Sequence, residues 1–285
     1  MLWSIWCRST LPDDREMTLS LRQYAIRGAK WLSIAGDILA GRRRGPRILI
    51  YHQVGSGSGL EMDVELDAFE SQLDWMSDHG EIVSLDEAVN RIGDEDADHC
   101  FVLTFDDGHE SLYQKAFPAM AERALPFLLY TTTAPLEGTQ LLHDDPNMRL
   151  SSWDEIISMR ESGLMMVGAH GHRHLDARDH DREVLDRDMR LCNDLIRKRL
   201  EVDPRHFAYP WGHRSDAAEP VVRELYETAA IGSGGDLRPS TDVHRLPRIP
   251  VMLSDGSPSI FARKMWGGFR FETSLRSLRD HLRDN

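Results

Sequence analysis

Two short stretches of this chain carry side chains that can do chemistry together. The first is Phe101-Val102-Leu103-Thr104-Phe105-Asp106-Asp107-Gly108, a largely apolar run ending in two adjacent carboxylates and a glycine. An apolar run of that length reads as a buried strand, so the two acids sit where it leaves the core. Adjacent carboxylates repel, and a nearby cation, a metal ion being the simplest, would hold both ionised. Taken alone, the stretch reads as a strand followed by an ordinary Asp-Gly turn. The second stretch, Val167-Gly168-Ala169-His170-Gly171-His172-Arg173-His174, puts three histidines within five residues. His170 and His174 are four apart; on a helical turn they share one face and can grip one ion, with His172 directed elsewhere. Imidazole plus carboxylate is the donor set of zinc and other borderline divalent metals. Two His and one Asp leave coordination positions open, as catalysis needs. A single histidine is usually a hydrogen-bonded structural residue. This cluster, following an apolar strand and matched by an Asp-Asp-Gly elsewhere, reads as a metal site.

The elements that must position these groups alternate along the chain. Strands are expected at 48–51, 82–84, 101–106, 127–132, 165–169, 206–209, 229–232 and 246–251, from apolar runs bounded by turn residues. Helices are expected at 66–79, 86–92, 112–124 with a kink or break at Pro118, 152–162 with Ser152 as cap, 181–200, 217–228, 259–265 and 274–282. Residues 55–59 (Gly-Ser-Gly-Ser-Gly) read as a flexible loop. Residues 134–150 form a long loop whose His143-Asp144-Asp145-Pro146 tract is given no ligand role. Strands alternating with helices imply a parallel sheet. In a (β/α) barrel, working residues collect at the C-terminal ends of strands. His52, Asp106, Asp107, His170, Tyr209, Trp211 and Arg248 all lie at or near such ends, which is independent support for one site built from five strands.

A third stretch, Phe207-Ala208-Tyr209-Pro210-Trp211-Gly212, would alone be a core strand with a turn. The three together, in this order, resemble the polysaccharide deacetylases, also called the NodB-homology or carbohydrate esterase family 4 enzymes. Ile50-Tyr51-His52-Gln53-Val54 and Leu246-Pro247-Arg248-Ile249 resemble the opening and closing strands of the branch that contains the poly-N-acetylglucosamine deacetylases. The resemblance spans about residues 46–253. It implies a distorted, incomplete (β/α) barrel of seven strands, TIM-like, as a catalytic domain over 46–285 behind an N-terminal extension at 1–45. It also implies hydrolysis of an acetamide on an amino sugar of an exopolysaccharide, capsule or envelope glycan, using a divalent metal, zinc first and nickel or cobalt next. By motif matching, Asp107, His170 and His174 correspond to the metal ligands and Asp106 to the catalytic base. The Trp211 N–H corresponds to an oxyanion donor. Tyr209 and Trp211 would form an apolar wall for the sugar ring.

The chain departs from the family pattern in two places. Many members carry an Arg just before the Pro-containing turn to orient the base; here that position is Ala208. Arg248 is the candidate substitute, a structural ion pair being the other reading of it. The usual C-terminal Leu-x-His acid is not evident, and His244 precedes its strand. His52 therefore becomes the candidate imidazole, to protonate the leaving amine, to orient a water, or only to cap its strand. O-deacetylation and non-sugar amide hydrolysis would use the same centre. A degenerate glycan-binding barrel is the non-enzyme alternative, and the intact Asp106 and ligand positions argue against it.

Composition limits the partners. The chain has 285 residues, 41% hydrophobic and 28% charged, with formal net charge −13. That balance is ordinary for a globular protein and argues against nucleic acid as a partner. Cys7, Cys100 and Cys192 are widely spaced and form neither a metal motif nor a disulfide framework. No run approaches the roughly eighteen apolar residues of a membrane span. Residues 18–44 read as a helix packed on the barrel. Its arginines also suit a basic amphipathic helix on a membrane surface, and it lacks the order of a secretory signal. The expected location is cytoplasmic or membrane-peripheral, with Met17 a candidate start.

Overall fold

The computed structural model describes residues 44–142, 148–232 and 235–268. Residues 1–43, where the N-terminal extension and its amphipathic helix are expected, lie outside the described residues, as do His143 to Pro146 and the helix expected at 274–282. Among the described residues, no helix is long and apolar enough to cross a membrane.

The alternation of strands and helices builds a parallel barrel. Its strands are β1 (Arg47–Tyr51), β5 (Cys100–Asp107), β6 (Phe127–Thr131), β7 (Met165–Ala169), β8 (His206–Ala208) and β9 (Thr228–Ile231), each hydrogen-bonded in parallel to a neighbour. Short strands β2 (Gln53–Val54) and β3 (Asp63–Val64) pair outside the ring, and β4 (Glu81–Ile82) pairs beside β5. The ring closes through one bent segment. β10 (Leu246–Pro247) pairs with β9, and β11 (Ile249–Pro250) pairs with β1. Only Arg248 separates them. The single strand expected at 246–251 is therefore two pieces, because Pro247 and Pro250 have no N–H to extend either ladder. With this segment as the seventh position, the architecture is the expected seven-stranded (β/α) barrel.

Strand periodicity sorts side chains into two layers. Ile48, Val102, Leu128, Tyr130, Ala208, Ala230 and Leu246 fill the barrel interior. Leu49, Leu103, Leu129, Phe207 and Tyr209 face outward against the helices. The outer layer is completed by Phe69, Leu73 and Met76 of α1 (Leu66–His79), by Ile156 and Met159 of a helix at Trp153–Glu161, and by Leu185, Met189, Cys192 and Ile196 of a helix at Arg182–Leu200. The other α-helices among the described residues are α2 (Leu85–Asn90), α3 (Phe117–Glu122), α4 (Thr133–Leu136), α7 (Glu219–Leu225) and α8 (Pro258–Met265), the two just named being α5 and α6. Ser152 caps α5 with a reciprocal capping box through Glu155. Asp181 caps α6, whose Arg197, Lys198 and Arg199 sit at the negative end of its dipole. The helix expected at 112–124 is instead a π-helical turn at Leu112–Ala116 followed by α3. Pro118 lies in the first turn of α3, where its missing N–H breaks no bond.

One glycine is required by packing inside the barrel. A Cβ on Gly168 would lie 2.6 Å from the Tyr130 ring and 2.9 Å from the His206 carbonyl oxygen. Gly168 thus gives Tyr130 its space beneath the barrel mouth. Gly168→Ala is expected to lower unfolding free energy by about 1–3 kcal/mol, the usual cost of overpacking, as read by urea denaturation.

Candidate active site

The strand period determines which strand-end residues reach the mouth. Positions 48, 102, 128, 208 and 246 point inward, and His52, Thr104, Asp106, His170 and Arg248 share their parity. Asp106 is 4% exposed and Arg248 1%. Arg248 donates from Nη1 to Asp106 Oδ1 at 2.6 Å and from Nη2 to Oδ2 at 2.8 Å, a two-pronged ion pair. Thr104 Oγ1 accepts a third bond from Arg248 at 3.2 Å and donates to the Leu49 carbonyl at 2.6 Å. The guanidinium lies over the Tyr130 ring, 5.1 Å from its centroid. Burial raises the Asp106 carboxyl pKa, but Arg248 and then His170 more than reverse this and hold it below its ordinary value. Burial likewise opposes the Arg248 charge, and Asp106 restores it.

Asp107, His170 and His174 come together beside that pair. All three are buried, and one donor atom from each lies within 4.8 Å of the others. His174 Nε2 is 3.4 Å and His170 Nε2 3.8 Å from Asp107 Oδ1, and His170 Nε2 is 3.7 Å from Asp106 Oδ2. His170 Nδ1 donates to the Ala208 carbonyl at 2.7 Å. In the neutral ring that bond leaves a lone pair on Nε2 facing the carboxylates. Lone pair and carboxylate at this separation are too far apart for a hydrogen bond and repel unless a cation lies between them. Zinc bonds of about 2.0–2.2 Å in a tetrahedron put donor atoms about 3.3–3.6 Å apart. The three residues therefore fit a divalent ion in donor type, with the His174–Asp107 separation in that range and the others wider.

The His-x-x-x-His spacing does not come from a helical turn, contrary to the sequence expectation. Residues 171–176 form neither helix nor strand. Gly171 has φ +78° and His174 φ +55°, and these left-handed residues fold the loop so that His174 returns beside His170, ring centroids 4.8 Å apart. His172 is turned away, its Nδ1 2.8 Å from Thr133 Oγ1. The loop rests on Asp188 of α6, whose carboxylate accepts from the His172 N–H at 2.8 Å, the Arg173 N–H at 3.2 Å and Arg173 Nε at 3.0 Å. Among the described residues, Asp107, Ala124, His174, Glu201 and Trp211 are the non-glycines with positive φ. Three of these five meet here, as expected where backbone strain serves a site.

The remaining expected residues divide. His52 is partly buried and lies within electrostatic reach of Asp106, Asp107, Arg248 and His170. Burial lowers its pKa below 6.5 despite the two carboxylates. Trp211, at φ +61°, is 55% exposed, with its ring centroid 5.1 Å from that of His174. The turn that carries it is pinned to the His174 loop, because His213 Nδ1 donates to Asp176 at 2.9 Å. Burial raises the Asp176 carboxyl, but Arg178 and His213 hold it down to about 2. The Tyr209 ring does not join the site. It is fully buried on the outer face of the barrel, 5.2 Å from the Phe207 ring, because position 209 has the outward parity of Phe207. Tyr209 is thus excluded from the expected sugar wall, and Trp211 is the one of the pair that lies beside His174. Thr104, Tyr130 and Asp188 were not singled out from sequence. Asp188 does leave a signal, an acid on the same helical face as Leu185, Met189, Cys192 and Ile196.

Residues 93–229 match the model of the polysaccharide deacetylase family. Over these residues the chain is similar to a polysaccharide deacetylase domain. Its curated relatives include a poly-beta-1,6-N-acetyl-D-glucosamine N-deacetylase of Staphylococcus epidermidis, 24% identical over 215 residues, covering 70% of this chain and 71% of that protein. The Staphylococcus aureus protein of the same name is 23% identical over 235 residues, covering 77% of each. Among solved structures, IcaB from Ammonifex degensii superposes with TM-score 0.67 at 24% identity, covering 79% of this chain and 98% of that one. The Streptococcus pyogenes deacetylase PplD gives TM-score 0.66 at 22% identity, covering 78% and 99%. These two likenesses concern the fold.

Removing Arg248 would leave the Asp106 charge buried and unmatched. Arg248→Leu is expected to cost about 3–5 kcal/mol at pH 7. The depressed Asp106 pKa contributes stability above the unfolded value of about 3.9 and loses it as pH falls through the folded value. The gap between wild type and variant should therefore narrow as pH falls below about 4, as read from urea unfolding at pH 7 and pH 3. A gap unchanged by pH would contradict this.

Proposed function

We propose that this chain is a metal-dependent carbohydrate deacetylase that removes N-acetyl groups from amino-sugar residues of a glycan. The observation that carries the reading is the grouping of Asp107, His170 and His174 beside a separately neutralised carboxylate, Asp106. The names of the curated relatives support an N-acetylglucosamine polymer over an O-acetyl ester as substrate. An ion held by Asp107, His170 and His174, zinc before nickel or cobalt, would supply Lewis acidity toward an acetamide carbonyl and water.

The protein groups supply the rest. Asp106 accepts the proton of the attacking water; its pairing with Arg248 keeps it ionised and fixes both its oxygens. Arg248 is a positioning residue, itself held by Thr104 and Tyr130. The Trp211 N–H stabilises negative charge on the carbonyl oxygen, and its exposed indole supports the sugar ring. His52 returns a proton to the leaving amine. The N-terminal extension as a separate segment and its peripheral membrane contact are part of the same reading.

The two adjacent acids should separate cleanly in acetate-release assays on N-acetylglucosamine oligomers. Asp106→Asn should keep the metal and lose about 10²–10⁴-fold in kcat, the range for a general base. Asp107→Asn, His170→Ala and His174→Ala should lose metal by elemental analysis and activity with it. Full metal occupancy in both histidine variants would refute the ligand assignment.

His52→Ala should keep fold and metal and lower kcat by about 10²-fold. Because burial lowers the imidazole pKa, and a bound cation would lower it further, the donor form is lost as pH rises, before pH reaches 6.5. The alkaline limb of kcat/KM should accordingly begin below about 6.5 and disappear in the variant. A variant with wild-type kcat/KM and an unchanged profile would leave His52 only a structural role.

A further inference from the structure

The ligand His174 is presented by a loop that has no regular hydrogen bonding of its own, and α6 supplies what it lacks. The Asp188 side chain is 4% exposed and lies on the buried face of α6 with Leu185, Met189 and Cys192. A buried carboxylate there is costly unless its oxygens are fully used. They are used by the loop. Oδ2 accepts the His172 N–H, and Oδ1 accepts both the Arg173 N–H and Arg173 Nε. Two successive amides aimed at one anion make a small concave nest. Its formation requires the backbone to turn at Gly171, where a Cβ would stand 3.1 Å from Asp188 Oδ2 and φ is +78°. His174 follows at φ +55°, a conformation that is disfavoured for a non-glycine residue. The other two ligands need no such help. Asp107 ends a strand, and His170 follows one and is fixed through Nδ1 to Ala208.

We propose that Asp188 is a positioning residue for metal binding: its carboxylate folds the 171–173 backbone so that His174, and only His174, is held in coordinating position. The proposal rests on the reading of Asp107, His170 and His174 as ligands. Asp188 touches neither the ion nor the substrate. It acts through the loop, so its influence on metal affinity must pass through His174.

The test is a zinc-affinity measurement by competition with a chromophoric chelator, on the full chain, in a double-mutant cycle. Asp188→Asn is close to isosteric but turns a donor group toward the loop amides. It should weaken zinc binding about 10–100-fold, as loss of a partner behind a metal ligand does. In a His174→Ala background, where the weaker residual binding through Asp107 and His170 is read at higher zinc concentration, the same substitution should cause no further loss. Arg173→Ala removes only the side-chain bond and should stay near wild-type affinity. Gly171→Ala attacks the same contact without changing charge and should weaken zinc binding to a similar extent. The metal-free Asp188→Asn protein should still melt cooperatively. Wild-type zinc affinity in Asp188→Asn and Gly171→Ala would overturn the proposal, as would an undiminished loss in the His174→Ala background. Wild-type affinity in His174→Ala itself would instead overturn the ligand reading on which the proposal depends.

Discussion

Two carboxylates joined by one peptide bond, both almost shut off from water, must be kept from repelling each other. Isolated charges in such a place would neutralise by taking up protons. Here each carboxylate has its own answer. Asp106 points into the barrel and meets Arg248 with both oxygens. Asp107 leaves the strand in a left-handed conformation and meets two imidazoles instead. Adjacent strand residues ordinarily face opposite sides. The positive φ at Asp107 goes with both acids serving one mouth while facing different partners.

The Arg248 side of this arrangement reaches deep into the fold. The residue occupies the seam where a proline-interrupted segment closes the barrel, between the piece paired to β9 and the piece paired to β1. Its guanidinium is supported from below by Tyr130 and from the side by Thr104. Tyr130 in turn fits only because residue 168 has no side chain. A buried ion pair of this kind adds little net stability over an apolar replacement, while removing one member is expensive. What it does here is hold the Asp106 carboxylate ionised and oriented where water cannot do so.

Much of this was legible in the sequence, and the physical reasons are specific. The strands were readable because their apolar runs are short and bounded by turn residues. The chemistry-bearing positions were readable because a parallel barrel gathers strand ends at one mouth. The parity that separates Asp106, His170 and Arg248 from Tyr209 is also present in the sequence, and it places the Tyr209 ring on the outer face with Phe207. The path of the His170–His174 loop was not legible. A four-residue spacing suits a helix, and only the Asp188 carboxylate, from a helix that starts eight residues after His174, makes a non-helical path favourable. The break at Arg248 was signalled by two prolines within a run that otherwise looked like one strand.

The account is tested most directly by anomalous diffraction at the zinc edge from crystals of the full chain grown with zinc. It predicts one strong peak about 2.0–2.2 Å from Asp107, His170 Nε2 and His174 Nε2, with Asp106 still paired to Arg248 and outside the coordination sphere. A peak elsewhere, or one bonded to Asp106 with Arg248 displaced, would contradict it.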